Sequence, residues 1–261
     1  MKFAMAAVAL LRLIWSPARS RCVRGIARMV QLVQGETALD AWRAGAASIL
    51  AANGGQVFHL VSTIERPHLC EPSWLTRYDV RRVLPAKDST RSVIEVIAPR
   101  VLLRGEPRAD RYLAAWRLYD QLRARGVRIS QWREAYFERL TRVSVDCNPL
   151  ERLIGAMNGW QAVPANGFYI AISPPERDPV RKLGSPCLQY LQFHPVGNRV
   201  DLTAVYRNHD FLIKAFGNLL GLGRLLSFVA QETGRQSGRL TCLSVHAYTT
   251  QKSKLRELIG I

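Results

Sequence analysis

Three residues that could carry chemistry together lie in one short stretch of the chain, between Ser185 and Leu226. Cys187 follows Pro186 directly, Arg207 lies further along, and Asn218 precedes a run of leucines. A thiol becomes a nucleophile when nearby positive charge lowers its pKa, and a guanidinium also binds anions. The combination predicts a nucleophilic cysteine beside an anion-binding arginine.

Two alternating runs separate the thiol from the arginine. Leu188 to His194 and Val200 to Arg207 each alternate in character, with Pro195-Val196-Gly197-Asn198 between them. Such runs on either side of a Gly/Asn turn are typical of a β-hairpin. The apolar face of the second run consists of Val200, Leu202, Ala204 and Tyr206. Because the runs have similar lengths, the hairpin returns Arg207 to Cys187. The alternative is that Cys187 is simply a small buried hydrophobe.

The carboxamide of Asn218 offers a hydrogen-bond donor and an acceptor side by side. This pattern matches the N3–H and C4 carbonyl edge of uracil, whereas cytosine requires an acid or a reversed amide. Asn208 and Asp210 lead into a helix whose apolar residues recur at helical spacing: Leu219, Leu222, Leu226 and Val229. Asn218 could equally be a helix N-cap. Asp210 could cap a helix that begins near Phe211, or bind a second ligand.

The other periodic segments predict one α+β domain. Helices are predicted at 36–50, 109–125, 132–143 and 148–157, and strands at 57–64 and 168–173, the latter buried. The segment 93–103 fits a strand or a short helix, and the loop 65–87 is too irregular to assign. His246 and Tyr248 alternate on a strand, so their side chains point the same way.

The charge balance favours an anionic partner. The chain has 261 residues, 37 basic and 20 acidic, which gives a net charge of +17. A nucleotide, a nucleic acid or a membrane surface would fit, although arginine is spread along the chain and a basic solvated surface gives the same total. Basic and aromatic residues in 109–143 could bind RNA or DNA. The helical spacing of these aromatics favours core packing instead.

The cysteines and the N-terminal residues bear on localisation. Five cysteines without a Cys-x-x-Cys pair favour reduced thiols in a cytoplasmic protein and no metal site. Residues 1–35 contain no acid and predict a basic, poorly ordered extension before a single domain at 36–261. A signal or transit-like leader, or a translation start at Met29, are the alternatives. An uninterrupted apolar span long enough for a membrane helix is absent from the sequence.

Four short motifs resemble those of thymidylate synthase. They are Pro186-Cys187, Arg207-Asn208-His209-Asp210, Phe216-Gly217-Asn218 and His246-Ala247-Tyr248. The resemblance covers roughly residues 185–250. It implies an α+β fold with a large mixed sheet covered by helices, and a homodimer formed through one face of that sheet.

The resemblance implies a one-carbon transfer to C5 of a uracil nucleotide, with 5,10-methylenetetrahydrofolate as cofactor. Cys187 would add to C6 of the pyrimidine. Arg207 would bind the 5′-phosphate and lower the pKa of the thiol. Asn208 takes the place of a phosphate-binding serine of the family.

The remaining family roles concern the base, the sugar and the folate. Asp210 would position the base and contact the folate, and Asn218 would select uracil over cytosine. His246 and Tyr248 would hold the 3′-hydroxyl. Gln192 matches a family glutamine on the strand after the nucleophile, and it too would contact the substrate.

The sequence also departs from the family pattern. Gly167-Phe168-Tyr169 stands where a pair of arginines donated by the partner subunit is expected, Leu188 replaces a histidine, and Cys242-Leu243-Ser244 replaces Gly-Gly-Asp. Neither the family's catalytic glutamate nor its early phosphate arginine is found, and Gln131-Trp132-Arg133 only faintly matches a further motif. These departures motivate an alternative, a catalytically degenerate nucleotide-binding or interaction module.

Overall fold

One mixed sheet organises the protein. The computed structural model describes residues 30–85, 89–129, 134–143, 147–160, 167–174, 176–178 and 184–260. Within them the strands are β1 Gln31–Gly35, β2 Gln56–Ile64, β3 Tyr169–Ala171, β4 Leu188–Val196, β5 Arg199–Tyr206, β6 His209–Asp210 and β7 Gln236–Tyr248. The order across the sheet is β1-β2-β7-β5-β4-β3, and β6 pairs with β7. The β1–β2, β5–β7 and β6–β7 pairs are parallel and the others antiparallel, which confirms the predicted mixed α+β sheet.

Helices cover one face of this sheet. Those described are α1 Ala38–Ala51, α2 Pro72–Arg77, α3 Thr90–Ile97, α4 Arg108–Ala124, α5 Tyr136–Thr141, α6 Pro149–Met157, α7 Ala215–Glu232 and α8 Lys252–Ile259. The long α7 is almost entirely buried, between the sheet and α3. Its Gly217 permits this close approach, because a Cβ atom there would lie 2.7 Å from Val93.

The hairpin of β4 and β5 forms as predicted. The strands pair from Leu188↔Tyr206 to Val196↔Arg199, with a bulge near Gln189. Gly197 has φ +57°, which suits the first central position of a two-residue type II′ turn. The predicted apolar face of β5 is buried in the core. The register that the sequence suggested is therefore the one that the chain adopts.

Several predicted boundaries differ from the structure. Residues 31–35, assigned to the basic extension, form β1, whereas residues 1–29 lie outside the described residues. The loop 65–87 contains α2, and the segment 93–103 begins as α3. β3 is not a buried strand: Ile170 is buried, but Tyr169 and Ala171 are exposed, because the strand lies at the sheet edge and the described helices pack on one side of it.

Several aromatic residues of the segment 109–143 pack in the core. Tyr112 and Tyr119 are 3% and 2% exposed, which confirms the predicted core packing. Three arginines of this segment form ion pairs with acidic partners: Arg111 with Glu232, Arg123 with Asp120 and Glu138, and Arg142 with Asp120. Gln131-Trp132-Arg133 lies outside the described residues. None of the described helices has both the length and the apolarity to cross a membrane.

Candidate active site

The β4–β5 hairpin places Cys187 and Arg207 side by side. The Arg207 backbone N–H donates to the Cys187 carbonyl at 2.9 Å, next to the Leu188–Tyr206 pair. The Arg207 guanidinium donates from Nε to the Pro186 carbonyl at 3.0 Å and from Nη2 to the Ser185 carbonyl at 2.8 Å. The arginine thus holds the segment before the cysteine, and only part of its donor fork is left for a ligand.

Burial and charge act in opposite directions on the Cys187 thiol. The side chain is half-buried against the core. Burial raises the pKa of Cys187 and outweighs the charges of Arg207 and Lys214, which lower the pKa, while Asp210 raises it. Arg207 therefore acts in the direction that the family resemblance implies. It does not bring the pKa below that of an ordinary cysteine, because desolvation is the larger effect.

Tyr136, which the sequence analysis did not single out, fixes the backbone at the start of β4. Its hydroxyl accepts hydrogen bonds from the backbone N–H groups of Cys187 at 3.0 Å and Leu188 at 3.2 Å. Burial raises the pKa of Tyr136, so the phenol stays protonated. Its only sequence signal is an aromatic residue in a predicted helix, which equally indicates core packing.

Asp210 shapes the turn into α7 and adds negative charge near the thiol. Its Oδ1 accepts from the backbone N–H groups of Leu212 at 2.9 Å and Ile213 at 3.0 Å. The helix does not begin near Phe211, since α7 starts at Ala215 with Lys214 at the N-cap position. Burial raises the pKa of Asp210, against the opposing effect of these N–H groups and of Lys214.

Asn208, His246 and Tyr248 form one connected group. The Asn208 Oδ1 lies 2.8 Å from His246 Nδ1, and the Asn208 side chain is near enough to the Tyr248 hydroxyl to oppose the rise in its pKa that burial causes. The His246 and Tyr248 rings stack at 5.1 Å, which confirms that they share a side of β7. His246 also stacks on the exposed Phe58 at 4.9 Å, and its Nε2 lies 3.0 Å from Gln56 Oε1.

Open space adjoins this group. A cavity of about 470 Å³ is lined by residues 54–56 and 248–250 and by Lys252. Its volume lies within the range of roughly 300–1,000 Å³ typical of small-molecule sites. The Tyr248 side of the group is therefore accessible to a polar ligand, whereas Cys187 is not part of this lining.

Asn218 is buried, and part of its amide is already engaged. The residue is 6% exposed, and its Nδ2 donates to His209 Nε2 at 3.1 Å. His209 Nδ1 in turn lies 2.8 Å from Ser244 Oγ. Asn218 is not a helix N-cap, because Lys214 holds that position. Recognition of a base by Asn218 would use its second amide hydrogen and its Oδ1.

Gln192 lies away from Cys187 and Arg207. It lies five residues beyond Cys187 along β4, about 16 Å at the usual strand rise. Its neighbours Leu191 and Phe193 are fully buried, so its side chain points to the opposite face of the sheet. There Gln192 Oε1 accepts from the Tyr190 hydroxyl at 3.1 Å.

Comparison with known proteins finds short similarities to archaeal proteins, and no family model matches the chain. A protein named putative thymidylate synthase from Methanococcoides burtonii is 36% identical over 76 residues, 28% of this chain and 35% of that protein. Proteins of the same name from Methanosarcina barkeri and Methanosarcina mazei are 32% identical over 90 residues and 28% identical over 125 residues. These cover 34% and 47% of this chain. The chain spans about a third to about half of the length of these curated relatives (35%, 41% and 55%).

The buried His209 makes a prediction for acid stability. Burial lowers its pKa from 6.5 to about 3, so below pH 6.5 the unfolded chain takes up a proton that the folded chain does not. The folded state therefore keeps its full stability above pH 6.5, and the unfolding free energy decreases as the pH falls towards 3. Between pH 7 and pH 5, His209 should cost about 2 kcal/mol of unfolding free energy. Urea unfolding at both pH values measures this loss.

The matched variant is His209→Gln, which cannot titrate in this range. Between pH 7 and pH 5, the unfolding free energy of this variant should fall less than that of the parent. The difference between the two should equal the contribution of His209. His246, whose pKa burial also lowers, contributes equally to both proteins and cancels. An equal loss in parent and variant would show that His209 is not held neutral.

Proposed function

We propose that this protein is a thymidylate-synthase-like transferase that adds a one-carbon unit to C5 of a uracil nucleotide. The observation that carries the proposal is the end of the β4–β5 hairpin, where Cys187 and Arg207 are adjacent. Lys214 and Asp210 are close enough to affect the thiol electrostatically. The names of the archaeal relatives support the same family of reactions.

The proposed chemistry begins at the Cys187 sulfur. After the thiol proton has left to solvent, the thiolate forms a bond to C6 of the pyrimidine. The electron pair of the C5=C6 bond moves to C5 and is delocalised onto the C4 carbonyl oxygen. C5 is thereby made nucleophilic and would bond to the one-carbon unit as the bond between that unit and its carrier breaks. Loss of the proton at C5 would then supply the electron pair that re-forms the C5=C6 bond, as the C6–S bond breaks and the Cys187 thiolate leaves. Arg207 and Lys214 favour the thiolate that starts this sequence.

The nucleotide would lie between the two cations and the Asn208–His246–Tyr248 group. Arg207 would contact the 5′-phosphate with the donors that the carbonyls of Ser185 and Pro186 leave unused. Lys214 adds positive charge on the same side. His246 and Tyr248 would hold the sugar hydroxyl, and Asn218 would face the base.

One residue, Asp210, offers a contact that fits a reduced folate. Asp210 Oδ1 is occupied by two backbone N–H groups, which fix the carboxylate and leave Oδ2 as an acceptor for a pterin N–H. When bound, 5,10-methylenetetrahydrofolate would supply the one-carbon unit. Asp210 would orient it next to Cys187, to which the carboxylate is electrostatically coupled.

A homodimer would cover the face of the sheet that the helices leave open. Its residues form a row across five strands: Leu32, Val61, Leu243, Val205 and Tyr190. Leu32 is 63% exposed and the others are partly exposed. A continuous apolar row of this kind is unusual on a monomer surface and suits a second copy of the same sheet. We place this dimer in the cytoplasm, where free thiols such as that of Cys187 remain reduced.

The alternative function, a catalytically degenerate nucleotide-binding module, is favoured by one specific observation. Burial holds the pKa of Cys187 above its ordinary value, and Arg207 spends donors on the carbonyls of Ser185 and Pro186. Calorimetry with pyrimidine nucleotides and folate analogues separates the two functions. Nucleotide binding without folate binding and without a covalent adduct would support the module.

Covalent capture tests the catalytic function. Incubation with 5-fluoro-dUMP and 5,10-methylenetetrahydrofolate should yield a protein species increased by the mass of the adduct, on the peptide that contains Cys187. The variant Cys187→Ser should form none, because a hydroxyl is a far weaker nucleophile at neutral pH. Intact-protein mass spectrometry followed by peptide mapping measures both.

The matched control for the adduct is Cys70→Ser, which removes an exposed cysteine from a different part of the chain. It should leave adduct formation unchanged. An adduct that survives Cys187→Ser, or one that maps to another cysteine, would remove Cys187 from the mechanism.

The sheet row makes a prediction for assembly. Leu243→Lys places a charge in the middle of the row and should convert a dimer into a monomer at micromolar concentration, because an unpaired charge in an apolar interface is costly. Leu113→Lys, at a 42% exposed position on α4, is the matched control and should remain dimeric. Sedimentation velocity measures both. A monomeric parent, or a dimer unaffected by Leu243→Lys, would contradict this interface.

A further inference from the structure

We propose that the cavity between α3, α7 and residues 68–75 binds an organic dianion, a dicarboxylate whose two charges are separated by an aliphatic body. The cavity has a volume of about 420 Å³, within the range of roughly 300–1,000 Å³ typical of small-molecule sites. Its described lining contains none of the residues assigned above to the nucleotide or the folate. The inference therefore does not depend on the proposed function.

Two helices and one packed segment form the walls of this cavity. Each helix contributes three residues that helical spacing places on one face: Arg91, Ile94 and Glu95 on α3, and Leu220, Arg224 and Ser227 on α7. The third wall, residues 68–75, packs closely on α7, because a Cβ atom on Gly223 would lie 1.8 Å from the Pro67 carbonyl oxygen. The cavity therefore belongs to the packing of the fold.

The charges in the lining do not cancel. Arg224 Nη1 donates to Glu95 Oε1 at 2.8 Å and to the Ala98 carbonyl at 2.9 Å. The other carboxylate oxygen, Glu95 Oε2, accepts the backbone N–H of Arg100 at 2.7 Å. The guanidinium groups of Arg91 and Arg100 are exposed, and neither has an acidic partner among the residues that the structure describes. Two positive charges at the cavity thus remain uncompensated.

The remainder of the lining is mainly aliphatic. Ile94 and Leu220 are 1% and 3% exposed and lie at the base of the walls, whereas Leu103 is 57% exposed. Covering Leu103 with an apolar ligand would remove aliphatic surface from water, which favours binding. The described lining residues include no phenylalanine, tyrosine or tryptophan on which a base could stack. These walls therefore favour an aliphatic body over a nucleobase.

The positions of the two uncompensated arginines favour two separate anionic groups. Arg91 lies in the first turn of α3 and Arg100 follows its last turn, with Ile94 between them in the sequence. A guanidinium binds a carboxylate through two parallel N–H donors. A ligand with one carboxylate would leave one arginine unpaired, and a small inorganic anion would leave the aliphatic walls uncovered. A dicarboxylate with a hydrocarbon chain satisfies both features.

Calorimetry with three probes of equal chain length tests this site. Suberate, with a carboxylate at each end, should bind with a dissociation constant of about 0.1–1 mM, as expected for a ligand of its size. Octanoate lacks one carboxylate and should bind about tenfold more weakly, because one charge-assisted contact is lost. Octane-1,8-diol keeps the chain without either charge and should not bind measurably.

Substitutions at exposed positions locate the binding. Arg91→Gln and Arg100→Gln should each weaken suberate binding about tenfold. Leu103→Glu places a negative charge in the lining and should abolish binding. The matched control is Arg117→Gln, which removes an exposed arginine of α4 that does not line the cavity and should change nothing. Thermal unfolding verifies that each variant is folded.

Three results would overturn the proposal. They are a parent that binds suberate no better than the diol, equal affinities for suberate and octanoate, and suberate binding that neither Arg91→Gln nor Arg100→Gln weakens. Covalent capture at Cys187 is measured separately, so failure of this site and failure of the proposed function are distinguishable.

Discussion

The register of one hairpin determines the geometry of the candidate site. Cys187 and Arg207 are distant in sequence, and the two-residue turn at Gly197-Asn198 brings them into backbone contact at 2.9 Å. A shift of one residue in this register would reverse the faces of β5 and move its buried apolar residues into solvent. The packing of the core therefore fixes the position of the thiol relative to the guanidinium.

The site also shows a balance between desolvation and charge. In the proposed reaction, Cys187 would need partial burial to exclude water, yet that burial raises the pKa of the thiol. Arg207 and Lys214 act against this effect without cancelling it. Part of the Arg207 fork holds the carbonyls that precede the cysteine. In the proposed function, a bound dianionic phosphate would interact with the same cations, so substrate binding and thiol reactivity would be coupled.

The sequence predicted the elements whose signals are local. The alternating runs of β4 and β5, the turn between them and the apolar stripe of α7 each depend on neighbouring residues, and each is found in the structure. The placement of His246 and Tyr248 on one side of β7 followed from the two-residue period of the strand. The short β6 and the strand at 31–35 were missed, because each depends on pairing with a distant strand and not on its own pattern.

The site contacts that were missed join residues far apart in sequence. Tyr136 reaches the backbone of Cys187 from α5, and Ser244 contacts His209 from β7. In the sequence, Tyr136 was only an aromatic residue of a predicted helix. Ser244 was only part of a departure from a family motif. Gln192 was assigned to the site by resemblance, but strand alternation directs its side chain to the other face of the sheet. Which face a strand turns towards a site depends on what packs against it, and a single sequence does not contain that information.

A crystal structure of the protein soaked with dUMP tests the central claim most directly. We expect the pyrimidine C6 within bonding or van der Waals distance of the Cys187 sulfur, the phosphate on Arg207 and Lys214, and the N3–C4 edge of the base on Asn218. A nucleotide bound elsewhere, with Cys187 still packed against the core and Arg207 on its carbonyls alone, would contradict it.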